Sequence, residues 1–169
     1  MAIIKEVRGY TPKFGENCFL ADTAVVVGEV TMGSNCTVWF NAIVRGDVHS
    51  ITIGNNTNIQ DGAIIHCTYQ KAKTIIGNNV SIAHNAIVHG CTVEDDVLIG
   101  MGAIIMDDAV IGSNSVIAAG AVILPGTKVE SGSVYAGVPA KKVKDIGEEM
   151  KAVIQRTAKN YPMYAEWYK

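Results

Sequence analysis

The chain has 169 residues, a formal net charge of -2 and 49% hydrophobic residues, enough for one domain with a substantial core. With 14 basic against 16 acidic residues, it has no positive field for nucleic acid or an anionic membrane. It has neither a charged-then-apolar leader nor an apolar run of membrane-spanning length, so the expectation is a cytoplasmic protein whose four cysteines are reduced thiols.

Residues 1–13, MAIIKEVRGYTPK, precede any regular pattern and are expected to cap the first coil, with a turn at Thr11-Pro12. From Phe14 an apolar residue returns every six positions, at Leu20, Val26, Met32, Val38 and Val44. The period resumes at Ile53, Ile59 and Ile65, then at Ile76, Ile82 and Val88, and finally runs from Val93 through Ile99, Ile105, Ile111, Ile117 and Ile123 to Val129. A glycine often follows the apolar residue, and a small residue such as Ala42, Ala63 or Ala86 stands four places on. An amphipathic helix would space its apolar residues by three and four, and a half-buried strand by two. A period of six instead means short parallel strands separated by corners. Cys18 and Cys36 fall at the small inward position one coil apart and read as core residues. Cys67 and Cys91 lie near histidines, but without a C-x-x-C pair they too read as core thiols rather than metal ligands.

The period breaks three times: at RGDVHSITIG between Val44 and Ile53, at CTYQKAKT between Ile65 and Ile76, and by one residue too few between Val88 and Val93. All three breaks bracket the histidines, and irregularity confined to one third of a solenoid points to function. From Ala140 the spacing of Val143, Ile146, Met150, Val153 and Ile154 turns helical. This predicts a helix from about Gly147 to Asn160, ended or kinked by Pro162 and followed by an aromatic tail. The expected organisation is a cap and β-solenoid over residues 1–139, with the helix and tail over 140–169.

Over residues 14–134 the period resembles the hexapeptide repeat of the left-handed parallel β-helix. This implies an all-β fold of six to seven triangular coils, three hexads each, finished by the C-terminal α-helix. Parallel coils then stack at ~4.8 Å. With hexads counted from Phe14, Val44, Ile65 and Val88 lie on one face in successive coils, so Arg45, His66 and His89 stack on that face. Asp61 and His84 each stand two residues beyond the apolar position of a different face, Asp61 beneath His84. Two imidazoles one coil apart can share an ion such as zinc, whose nitrogen ligands sit at ~2.0–2.1 Å. His84, on the other face, reaches that ion only from a neighbouring subunit. A cyclic homotrimer with three clefts provides this arrangement, and three histidines with an open fourth position are the ligand set of a catalytic zinc. His49, inside the first break, has no partner in register and reads as a loop residue.

Arg45-Gly46-Asp47, Gln60-Asp61, His66 and the H-x4-H pair His84 and His89 resemble the γ-class carbonic anhydrase family. YAGVPAKKV at 135–143 is shared with many hexapeptide-repeat proteins. The resemblance implies His66, His84 and His89 as ligands of Zn2+, or alternatively Fe2+ or Co2+, at the interfaces of a homotrimer. It implies an Arg45–Asp47 salt bridge across those interfaces, Gln60 orienting a metal-bound hydroxide that attacks CO2 to give bicarbonate, and Asp61 helping to position it. Archaeal members carry a glutamate after the RGD and a proton-shuttling glutamate in a long acidic loop. Here Val48 and the lysine-bearing CTYQKAKT stand instead, as in a shorter bacterial subgroup, leaving Tyr69, Tyr135, His49 or buffer as proton carriers. Two other functions fit a hexapeptide-repeat chain: acyl-CoA thioester hydrolysis or acyl transfer, and non-catalytic binding of a small anion by a trimer.

Overall fold

The computed structural model describes residues 1–168 and forms a triangular parallel β-helix of about seven coils with one long helix packed against its side. Each hexad apolar residue points inward, and the three faces build three stacked columns. One runs Val26, Val44, Ile65, Val88, Ile105, Ile123; another Met32, Ile53, Ile76, Val93, Ile111, Val129; the third Val38, Ile59, Ile82, Ile99, Ile117. All of these are buried, and the alanines four residues on (24, 42, 63, 86, 103, 121) are fully inaccessible. The six-residue period is therefore the spacing of inward side chains between corners. The corners are made largely by asparagines and aspartates, such as Asn56, Asn79 and Asp96, in the left-handed conformation that these short polar side chains tolerate.

The first break in the period lies at a corner. Gly28 pairs with Gly46 and Val30 with Ile51, so Asp47–Ser50 loop out opposite Glu29 while the strand Ile43–Ile53 continues through and joins two faces into one sheet.

Three features differ from the sequence reading. Ile3–Lys5 pairs in parallel with Val25–Val27, so the N-terminal segment forms a rung of the helix and does more than cap it. Its reversal is at Arg8-Gly9, both with positive φ, not at Thr11-Pro12. The helical spacing assumed from Ala140 is misleading over its first residues: Ala140–Asp145 is a strand antiparallel to Ser133–Gly137, and Val143 is 62% exposed. The helix itself spans Glu148–Ala165 and passes through Pro162. Proline there cannot donate to the Ala158 carbonyl, yet the last turn is held by ring packing, Tyr161 on Trp39 at 5.4 Å and on Tyr164 at 5.5 Å. Ile154 and Met150 pack on Leu98, Val116 and Val134, so this helix covers the outer side of the third face.

The first face stays uncovered by the helix. Its outward positions are Ile3, Val25, Ile43, Ile64, Ile87, Ile104 and Val122, in register from coil to coil and all partly exposed or exposed. A continuous β-branched ladder on the outside of a solenoid is an apolar stripe of the kind that marks an interface. No helix among the described residues is long and apolar enough to cross a membrane.

Candidate metal centre

The three histidines lie at the two edges of that first face. His66 and His89 end the strands Ile64–His66 and Ile87–His89 and are paired in register. His84 sits at the corner before the second of these strands, two residues past Ile82 of the third face. His89 lies five positions beyond His84, up to about 16 Å of chain if fully extended. One chain therefore places two imidazoles at one edge and the third at the other. Among the described residues, no three His, Cys, Asp or Glu side chains of a single chain converge as a ligand set.

Each imidazole has one nitrogen held by a carboxylate. His66 Nε2 lies 3.1 Å from Asp47 Oδ1, His89 Nδ1 lies 2.6 Å from Asp107 Oδ1, and His84 Nδ1 lies 3.0 Å from Asp61 Oδ2. Asp47 is itself fixed by Arg45, whose Nη1 donates to Oδ2 at 2.6 Å, so the Arg45–Asp47 pair forms within one chain. The remaining nitrogens of the first pair, His66 Nδ1 and His89 Nε2, face each other at 3.0 Å. If both rings are neutral and both carboxylates receive an N–H, two lone pairs meet across that gap. A shared proton or a cation between them would relieve that contact. Two nitrogens on a tetrahedral zinc at ~2.0–2.1 Å stand about 3.3 Å apart, so a few tenths of an ångström of opening would admit the ion. The donor set thus fits a divalent metal, and the carboxylates occupy the outer positions that normally orient ligating imidazoles.

Burial holds the His66 imidazole below the ordinary histidine value, with Asp47 pulling upward and the Arg45 charge pushing further down. For Asp47 and Asp107 burial pushes upward, but hydrogen bonds outweigh it, from Arg45 and His66 in the first case and from Thr68 and His89 in the second. Both carboxyls stay below their usual range. The signs agree. A histidine depressed on folding costs stability as pH falls through its ordinary value of 6.5, and depressed aspartates stabilise above 3.8 and lose that contribution as pH falls through their folded values. The melting temperature of chelator-treated protein is expected to drop on acidification in two stages, with His66→Gln flattening the first. A melting temperature flat from pH 7.5 to 5 would contradict the network.

The other predicted residues divide. Gln60 is buried beside Asp61 and its Nε2 donates to Asn58 Oδ1 at 3.0 Å, while Asn58 Nδ2 donates to Ser81 Oγ at 2.8 Å. Tyr161 of the C-terminal helix is close enough to feel the Asp61 charge, which together with burial, the larger effect, pushes its phenol up to about 12. Tyr135 belongs elsewhere: it pairs with Ile117 and closes the third core column, three strands along the sheet from Ser81–Ile82. His49 is tied to its own loop, Nδ1 accepting from the Ser50 N–H at 2.8 Å. Cys67 and Cys91 are buried in the core, and burial pushes both thiols up, Cys91 to about 12.

Sequence reasoning missed Asn58, Asp107 and Thr68. Asn58 stands two before Gln60, hence on the same side of the chain. Asp107 follows His89 by one 18-residue coil and was findable on the same ruler as the histidines. Thr68 lies inside an insertion, where the ruler gives no position.

A family model for the bacterial transferase hexapeptide (six repeats) matches residues 90–125. A probable carbonic anhydrase of Methanocaldococcus jannaschii is 47% identical over 151 residues, 89% of this chain and 94% of that protein. The mitochondrial gamma carbonic anhydrase 2 of Arabidopsis thaliana is 38% identical over 156 residues, 89% of this chain and 56% of that protein. The crystal structure of a putative acetyltransferase from Bacillus cereus superposes with a TM-score of 0.95 at 32% identity, covering 99% of this chain and 96% of that one. Identity of 47% to the archaeal protein and 38% to the plant one, each over 89% of this chain, together with the hexapeptide β-helix fold, places the chain in the γ-class carbonic anhydrase family of left-handed β-helix proteins.

Proposed function

We propose that three copies of this cytoplasmic chain form a cyclic trimer and that a divalent ion, zinc or alternatively iron or cobalt, is held in each cleft for the reversible hydration of CO2. The observation that carries this reading is the state of the imidazoles: all three have one nitrogen held by a carboxylate, and the two on one edge present their remaining nitrogens to a common point. His66 and His89 would come from one chain and His84 from the next, joined by the apolar ladder of the first face. A head-to-tail contact between opposite edges of the same face satisfies every edge once it closes as a ring, and in the proposed trimer it closes after three copies. When bound, the ion supplies a nucleophile near neutral pH by acidifying water.

The chain's own residues do the rest. Asp47 and Asp61 orient the imidazoles. The Gln60 amide, immobilised through Asn58 and Ser81, offers a fixed dipole at the His84 edge and orients the attacking water. Hydration releases one proton for each bicarbonate formed. The inserted loop that would carry a shuttle bears Lys71 and Lys73 and no carboxylate, so small buffers are the main route for the proton, ahead of Tyr69 and His49. Stopped-flow CO2 hydration on metal-replete protein is expected to accelerate with imidazole concentration and to lose its chemical step in Gln60→Ala.

A second reading, acyl-thioester chemistry, is favoured by the hexapeptide transferase model and by the Bacillus cereus relative. Hydrolysis of acyl-CoA by the same preparation, with no hydration at any buffer concentration, would establish it in place of the first. Neither activity, with the ion bound, would leave a trimer that binds a small anion.

A further inference from the structure

The loop inserted after His66 lies outside the hexapeptide pattern, yet it is pinned at several points. Thr68 and Ala72 close it with a backbone bridge, and Thr68 Oγ1 donates to Asp107 Oδ2 at 2.5 Å. The other oxygen of the same carboxylate, Oδ1, takes His89 Nδ1 at 2.6 Å. Both oxygens are therefore engaged, and rotating the carboxylate would break one or both hydrogen bonds. At the end of the loop Thr74, fully buried, donates its hydroxyl to the His66 carbonyl at 2.5 Å and accepts the Gly90 N–H at 2.9 Å. The chain just past His66 is thereby tied to the chain just past His89.

Gly90 supplies an independent observation. Its φ is +55°, and a Cβ built there would lie 2.4 Å from Asp107 Oδ1, the atom that meets His89. The Asp108 N–H also donates to the Gly90 carbonyl at 2.8 Å, setting the Asp107 corner directly over this glycine. The bare backbone at 90 is thus what lets the carboxylate reach the imidazole.

We infer that Asp107, locked by Thr68 of the inserted loop and admitted by Gly90, is the positioning residue of His89. It holds Nδ1–H so that Nε2 is presented across the gap to His66. This rests on the metal-centre reading above, in which His89 binds through Nε2. It also gives the insertion a role: the loop delivers one hydroxyl to the carboxylate that orients a ligand.

The test uses the full-length protein in its native oligomer. Titration of Zn2+ against a chromophoric chelator reads affinity, and Asp107→Ala is expected to weaken it about 10–100-fold, the usual cost of losing a group that orients a ligating histidine. Asp107→Asn, which keeps an acceptor oxygen, falls between. Thr68→Val shifts affinity in the same direction by less, and Thr68→Ser restores it. In metal-free protein at mildly alkaline pH, imidazole 15N spectra should show His89 as the Nδ1–H form in the wild type and a tautomer mixture in Asp107→Ala. The spectral change supports the positioning role even if wild-type protein binds no ion, which would defeat the metal-centre reading alone. Where the wild type binds zinc, unchanged affinity in both Asp107→Ala and Thr68→Val would overturn the inference, and so in either case would an unchanged His89 spectrum in Asp107→Ala.

Discussion

Alanine at His66, His84 or His89 is expected to abolish stoichiometric binding of Zn2+ or Co2+, whereas His49→Ala leaves it intact. The size of the effect follows from the donor count. Three imidazoles with an open fourth position leave only two ligands after any single loss, too few for a retained ion. Loss of His66 or His89 also leaves Asp47 or Asp107 without its imidazole partner, but both aspartates keep a second donor, Arg45 or Thr68, so the fold should survive. His49 differs in kind, because its Nδ1 already accepts a backbone N–H of its own loop. Metal per protomer after equilibrium dialysis, measured with melting temperatures, checks this. Equal content in all four variants would mean that the ions sit elsewhere.

The coil ruler explains why this much could be read before the structure. Inward positions repeat because the core columns repeat, and residues one coil apart must stack, so His66 under His89 and Asp61 under His84 follow from counting. The ruler fails wherever the chain leaves the columns. Thr68 enters from an insertion, and the Ile3–Lys5 rung is separated from the next by a loop containing no hexad. At the other end, Ala140–Asp145 carries apolar residues at spacings that suit a helix, yet backbone pairing to Ser133–Gly137 takes precedence over side-chain pattern and leaves Val143 outside. Tyr135 shows the opposite limit. A tyrosine in a shared motif suggested chemistry, but its position is the next inward site after Ile117, and the core claims it.

Mixing two inactive variants separates a shared cleft from any site within one chain. In the proposed trimer each cleft takes His66 and His89 from one copy and His84 from its neighbour. A His84→Ala chain next to a His66→Ala chain, in the right order around the ring, therefore rebuilds a complete set. Co-refolding equal amounts should give random trimers, and every mixed ring, in either composition, contains one such junction. About one quarter of all clefts then regain three ligands, and Zn2+ binding should recover to about that fraction of wild type after subunit exchange. Mixing His66→Ala with His89→Ala must restore nothing, because both ligands belong to the same edge of the same chain. That negative pair controls for nonspecific recovery. Restoration in both mixtures, or in neither while the trimer forms, would exclude the assignment of His84 to the opposite edge and with it the apolar ladder as the contact that brings the two edges together.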